Sequence, residues 1–135
     1  PKYVFMGEKD FQQFFLVKEY LEKVHESKII LCKTIRSIYK VALSSRNLFL
    51  SKKELYIASF IAKKLIRLKK KMNQNQIKNN YLIKNVKSDF IKKFNIKIEY
   101  LEVRNTDNLN TKIIPNKFKI FIAYYLNNIR LIDNF

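Results

Sequence analysis

Glycine is almost absent from this chain: its 135 residues include one glycine (Gly7), two prolines, one cysteine, one histidine and no tryptophan. Glycine-rich phosphate loops are excluded at once, because a Walker loop or a GxGxxG turn needs more than one glycine. The lone Cys32 rules out a disulfide within the chain and fits a reducing compartment. Within the apolar run Ile29-Ile30-Leu31-Cys32 it reads as a small buried hydrophobe rather than a nucleophile. No apolar run approaches the roughly 20 residues that cross a bilayer. The start Pro1-Lys2-Tyr3-Val4-Phe5 has neither an initiator Met nor a signal-peptide pattern. A soluble, cytoplasmic chain with no membrane partner is expected, and one that lacks sequence at its front.

Acids are scarce as well, 11 against 28 Lys and Arg, for a formal charge of +17. That surplus raises nucleic acid as a partner. Most of it is Lys spread along the chain beside much Asn and Ile, the residues towards which a coding sequence rich in A and T drifts. Only Lys63-Lys64 with Arg67 to Lys71 forms a dense run, and cations at a helix end also complement the macrodipole. Nucleic acid is therefore not the expected partner, and a basic nucleic-acid-binding module is kept as a second reading.

What is present sorts into an α/β unit followed by an α+β tail. Tyr3-Val4-Phe5-Met6 reads as a strand that delivers the chain to Gly7-Glu8-Lys9-Asp10. A glycine retained there suggests φ > 0, close backbone approach to a ligand, or a plain turn. Asp10 with Gln13 has capping-box spacing ahead of Phe11, Phe14, Phe15, Val17, Leu21 and Val24, which predicts a helix of some four turns. Its N-terminus, beside Gly7 and Lys9, suits a phosphate or carboxylate. His25 falls at the helix end, as a cap or solvent-exposed residue.

Lys28 to Thr34 reads as a second strand, and the order strand, helix, strand favours parallel pairing. Ligands of parallel sheets collect beyond the carboxyl ends of the strands. Beyond the second strand stands Val41-Ala42-Leu43-Ser44-Ser45-Arg46-Asn47, where two hydroxyls and a planar guanidinium suit phosphate or carboxylate, or else cap the next helix. Ser51 to Glu54 is a capping box that opens a helix from about Lys52 to Met72 with Leu55, Ala58, Ile61, Ala62, Leu65 and Leu68 on one face. Asn73-Gln74-Asn75 breaks it. A helix from roughly Gln76 to Phe94 follows, with Ile77, Tyr81, Phe90, Ile91 and Phe94 as its apolar positions. Ile96 to Arg104 is extended, Asn105 to Asn110 turns, and Phe118 to Leu126 and Ile129 to Ile132 are strands joined at Asn127-Asn128.

Three segments, in this order along the chain, resemble the pantothenate synthetase family (pantoate:β-alanine ligases), adenylate-forming members of the nucleotidyltransferase superfamily. They are Phe5 to Gln13; Ala42 to Asn47 with Leu50; and Tyr100 to Arg104 with Arg130 to Asn134. The resemblance implies that pantoate carboxylate attacks the α-phosphate of ATP, with Mg2+ present, to give pantoyl adenylate and pyrophosphate. β-Alanine then displaces AMP. Carried over by position, Lys9, Ser44, Ser45 and Arg46 act on the ATP phosphates as the catalytic set, and Asp10 and the Gly7 backbone meet the ribose. The Ile35 and Leu43 backbones hold adenine, Gln13 binds pantoate, and no residue is assigned to a metal.

The same resemblance implies that residues 1–50 are the C-terminal edge of a Rossmann-like parallel nucleotide-binding domain. Residues 51–135 are a lid-like domain of two helices on an antiparallel sheet, and the complete protein is a homodimer. The family's N-terminal half is missing, so this piece alone is not expected to complete the reaction. A second departure lies at Lys33 and Arg36-Ser37-Ile38-Tyr39-Lys40, where the family usually has Pro before Thr34 and Arg-Glu-Ala-Asp-Gly after it. Losing a glycine and two acids there leaves a third reading open, a decayed copy that no longer acts.

Overall fold

Two hydrophobic rhythms, one of period 2 and one of period 3.6, divide the chain into its elements. The computed structural model describes residues 1–74 and 79–135. They form a mixed α/β protein of three helices and two sheets, in two compact units, Pro1–Ile35 and Arg36–Phe135.

In the first unit, β1 (Tyr3–Gly7) pairs in parallel with β2 (Lys28–Cys32), with Tyr3 opposite Lys28 and Gly7 opposite Cys32. The connecting helix α1 (Phe11–Val24) is long enough for the crossover that parallel pairing demands. It buries Phe11 and Phe14, whose rings meet at 5.7 Å, and ends where the His25 N–H donates to the Leu21 carbonyl. Both strands alternate between exposed and half-buried positions. Cys32 falls on the exposed side with Lys28 and Ile30, which corrects the expectation of a buried thiol: the alternation of the strand, not the apolar run, decides where it points.

The second unit is built on α2 (Lys52–Gln74) and α3 (Asn79–Phe94) against an antiparallel sheet of β3 (Lys97–Asn105), β4 (Phe118–Leu126) and β5 (Ile129–Asn134), in that order across the sheet. The capping box opens α2 as expected. The Ser51 N–H donates to the Glu54 carboxylate at 2.7 Å, and the Glu54 N–H donates to Ser51 Oγ at 3.3 Å. Ala58, Ile61, Ala62, Leu65 and Leu68 are buried with Ile57, and Leu55 is displaced to the exposed side. Each fully buried Ile or Leu contributes about 1.5 to 3 kcal/mol, so this face and the buried residues of β4 together carry much of the stability of the unit. Of the basic run, Lys63, Lys64, Arg67, Lys70 and Lys71 are exposed, and Lys69 is half-buried with its ammonium over the Phe118 ring.

For α3 the expectation holds at Phe90, which is buried, and at Phe94, half-buried against the core, and fails at Tyr81 and Ile91. Ile83, Val86 and Phe90 are buried, whereas Tyr81 is 69% exposed and Ile91 41% exposed. The set 83, 86, 90 follows helical spacing and lies on the core side; Tyr81 and Ile91 fall off it. Asn73 and Gln74, expected to break the helix after Met72, instead continue α2 to its last residue, because asparagine and glutamine weaken a helix without forbidding it. Asn75, Ile77 and the expected start at Gln76 lie outside the described residues. β4 is the central strand and buried along nearly its whole length, as the apolar residues Ile120 to Tyr125 anticipate. The hairpin after it turns at Asn127, in the left-handed region that asparagine tolerates at φ 50°. Across the sheet, the Arg130 guanidinium forks onto Glu99 at 2.7 and 2.8 Å. No described helix is long and apolar enough to cross a membrane.

Candidate functional site

The first polar constellation sits where β1 ends. Gly7 is extended, with φ −71° and ψ 134°, so a need for positive φ is not the reason for glycine here. A Cβ at Gly7 meets no atom within 4 Å. The space on the side of Gly7 where a side chain would stand is therefore open. Glu8 to Asp10 form one 3-10 turn, and the Glu8 carboxylate accepts the Thr34 N–H at 3.1 Å, which ties the exit of β1 to the segment after β2. Lys9 is half-buried in this turn, Asp10 is exposed, and Gln13 is exposed one turn into α1.

The expected capping box between Asp10 and Gln13 does not form: Asp10 makes no side-chain cap bond to α1. The 3-10 turn that precedes α1 places Asp10 at φ −97° and ψ 47°, away from the extended conformation that aims an N-cap oxygen at the helix N–H groups. Ile35, at the end of this unit, is 72% exposed.

The second constellation belongs to the other unit. Ser44 is extended and caps a 3-10 turn from Ser45 to Phe49, its Oγ accepting the Arg46 N–H at 3.3 Å. Ser45 and Arg46 are exposed, and the Arg46 guanidinium has no ion pair among the described residues. Leu43 is also exposed, between the buried Ala42 and the turn. The segment is pinned from both sides, since Val41 and Leu50 are buried in the core. Within it, Asn47 Nδ2 donates to the Ala42 carbonyl at 2.9 Å.

Immediately before lies the altered stretch. Arg36 and Ala42 form an antiparallel bridge, the Ser37 N–H donates to the Val41 carbonyl, and the Lys40 N–H donates to the Ser37 carbonyl, both at 2.9 Å. Lys40 has φ 69°. This is a tight turn followed by a left-handed residue, the arrangement that glycine usually completes. Lysine holds it instead. Arg36 Nη1 caps the turn on the Lys40 carbonyl at 3.0 Å, and the same guanidinium forks onto Asp133 at 2.7 and 2.9 Å. It also donates to the Asn134 carbonyl at 2.9 Å and lies 4.6 Å from the centre of the Phe135 ring.

This last network is not visible in sequence patterns. Arg36 and Asp133 are 97 positions apart, and neither belongs to a periodic run. The one signal is that Asp133 stands in a segment that carries the family resemblance, and that Arg36 keeps the arginine of a stretch whose other residues depart from it.

The sequence matches a family model described as pantoate-beta-alanine ligase over residues 1–135. It is similar to pantothenate synthetase of Leptospira interrogans serovar Copenhageni, 34% identical over 141 residues that include 99% of this chain and 48% of the relative. A crystal structure of pantothenate synthetase from Thermus thermophilus covers the whole chain with a TM-score of 0.85 at 22% identity, a likeness of fold, over 49% of that structure. A crystal structure of pantoate-beta-alanine ligase from Francisella tularensis, complexed with beta-gamma ATP and beta-alanine, covers the whole chain at 31% identity and a TM-score of 0.65, over 43% of that structure. The match falls on the C-terminal portion of the relatives, and the chain spans about half their length.

Proposed function

The chain belongs to the pantoate-beta-alanine ligase family, and we propose that it supplies the C-terminal portion of an enzyme that condenses pantoate with β-alanine at the expense of ATP. Pantoate carboxylate attacks the α-phosphate, pyrophosphate leaves, and the amine of β-alanine displaces AMP from the pantoyl adenylate. The observation that carries this reading is the Ser44 to Arg46 turn. Two hydroxyls and a guanidinium without an ion pair among the described residues are presented on a segment anchored in the core, in a chain matched end to end by the family.

In this reading Ser44, Ser45, Arg46 and Lys9 act on the phosphates. Charge builds on phosphoryl oxygens as the bond to pyrophosphate breaks, and donors fixed in advance stabilise it without reorganising. The planar fork of Arg46 suits two oxygens at once. Asp10, with no cap bond to satisfy, is available to a ribose hydroxyl, and the open space at Gly7 admits the sugar beside it. The exposed Ile35 and Leu43 offer backbone groups to adenine, and Gln13 hydrogen-bonds pantoate.

Among the described residues no group of three or more His, Cys, Asp or Glu forms a metal cage. An Mg2+ ion in this family reading is held chiefly by the ATP phosphates and water, and when bound it offsets phosphate charge. Residues 1–50 are read as the edge of a Rossmann-like domain and 51–135 as the lid, within a cytoplasmic homodimer.

The test is AMP release from Mg-ATP by the complete protein carrying this sequence. AMP that forms only when both pantoate and β-alanine are present supports the reading. A folded protein that releases none under any combination overturns it.

A further inference from the structure

We propose that Arg36 and Asn47 are positioning residues that together set the conformation of the Ser44-Ser45-Arg46 turn; this rests on the ligase reading above. One continuous set of bonds inside the second unit links them. At its far end the Arg36 guanidinium is held by Asp133, the Asn134 carbonyl and the Phe135 ring, all on or after β5. β5 is hydrogen-bonded to the buried central strand, where Ile120 and Phe135 exchange both backbone bonds at 2.9 Å. Arg36 is therefore fixed to the most deeply buried part of the unit.

From there the same guanidinium caps the Lys40 carbonyl, and Arg36 pairs with Ala42 across the turn. The Ala42 carbonyl in turn accepts the Asn47 side-chain amide. The Asn47 N–H donates to the Ser44 carbonyl at 3.0 Å and the Leu50 N–H to the Asn47 carbonyl at 3.2 Å. Asn47 thus closes the 3-10 turn over Ser44, Ser45 and Arg46 from behind, and Arg36 holds the strand segment on which it closes. Neither side chain needs to reach the substrate. Their effect passes through the backbone that presents the three phosphate-directed groups, and a displacement of about 1 Å there costs on the order of 100-fold in rate.

Lysine at position 40 makes the clamp more consequential. A left-handed lysine does not hold its turn by preference, so the Arg36 bond to its carbonyl substitutes for what glycine would supply. Replacing Arg36 by lysine removes the fork and the cap and leaves the charge.

The experiment measures steady-state AMP release by the complete protein with Arg36→Lys, with Asn47→Ala, with Arg36→Lys plus Lys40→Gly, and with Arg130→Lys as a control. Arg130 forms a comparable fork, with Glu99, but takes no part in this chain of bonds. The expected result is a loss of about 100-fold in kcat/KM for ATP in Arg36→Lys and Asn47→Ala, with the KM for pantoate within about twofold of the parent, as uniform binding elsewhere is untouched. Lys40→Gly recovers part of the Arg36→Lys loss, and Arg130→Lys leaves ATP kinetics unchanged.

Equal losses in Arg130→Lys, or unchanged ATP kinetics in both Arg36→Lys and Asn47→Ala, overturn the proposal. Asn47→Ala leaves the Arg36 fork intact, so it decides the matter if Arg36→Lys fails to fold. If the unsubstituted protein releases no AMP, the ligase reading itself fails. Amide hydrogen exchange at residues 43–48 then decides the positioning claim: faster exchange in both variants supports it, and unchanged exchange overturns it.

Discussion

Restoring glycine at position 40 should stabilise the protein, which is an unusual direction for a substitution that shortens a side chain. Lys40 sits at φ 69° with its side chain exposed. A residue with a Cβ loses roughly 1 to 2 kcal/mol in the left-handed region. Glycine avoids that loss but brings greater freedom to the unfolded chain, worth about 0.5 to 1 kcal/mol. The difference favours Lys40→Gly by about 0 to 1.5 kcal/mol, with a centre near 0.75 kcal/mol. For a two-state transition with a urea m-value of about 1.5 kcal/mol/M, the midpoint rises by about 0.5 M at constant m.

Two companions separate conformation from charge. Lys40→Ala removes the cation but keeps the Cβ, so it should leave the midpoint close to the parent. Tyr39→Gly, one position earlier where φ is not positive, carries only the glycine penalty and should lower it. A Lys40→Gly variant no more stable than Lys40→Ala would refute the reasoning, because the left-handed turn would then cost lysine nothing.

Three further outcomes follow from the same geometry. The Arg36 and Asp133 side chains are 20% and 11% exposed, so Asp133→Ala, which strands the guanidinium, should cost about 3 kcal/mol, at the lower end for a buried pair; urea titration reads it, and a loss below about 1 kcal/mol would place the pair with ordinary surface bridges. Bonds from the Ser51 hydroxyl and N–H, and then from Asn127, hold the Glu54 carboxyl below its usual range. The unfolded state takes up a proton first as pH falls below about 4.5, so this part of the stability is present above that pH and lost as acid protonates the folded carboxylate. Glu54→Gln should flatten the pH dependence of the urea midpoint in that acid range relative to the parent, and an identical pH dependence would remove the cap from the account. Tyr124 is 5% exposed, and burial, with the Asp133 charge second, pushes its phenol above the ordinary tyrosine range. Above about pH 10 the unfolded phenol ionises first, so stability should fall as pH rises; Tyr124→Phe should blunt the alkaline loss measured by thermal unfolding.

Local signals in the sequence fared best where a short-range rule had no competitor. Phe118 to Leu126 was legible as a strand because a run that is apolar apart from Lys119 suits the central strand of a sheet. Ser51 and Glu54 were legible as a cap because both reciprocal bonds lie within one turn. The same spacing at Asp10 and Gln13 failed because a 3-10 turn ahead of α1 rotates Asp10 off the helix entry, and no three-residue spacing carries that information. Cys32 failed for a related reason. Its neighbours in sequence are apolar, but its neighbours on the strand face, Lys28 and Ile30, are exposed.

The candidate site was legible as residue types and not as mechanics. Ser44, Ser45 and Arg46 suggest phosphate chemistry by composition. What aims them is written in residues that, singly, say nothing: an arginine paired 97 positions away, an asparagine whose amide serves a carbonyl five residues back, and a lysine in a glycine's conformation. Loss of the family's glycine read as damage in the sequence. In the structure the turn survives, because hydrogen bonds from Arg36 and within residues 37–41 close it without one. A substitution that breaks a local rule is thus tolerated where a distant contact enforces the same backbone, and the tolerance is conditional: it lasts only while Asp133 holds Arg36. With lysine at position 40, the turn is held through that ion pair and the Arg36 bond to the Lys40 carbonyl. The two sites should accordingly be coupled, with Lys40→Gly reducing the cost of Asp133→Ala by about 0.5 kcal/mol or more in a double-mutant cycle.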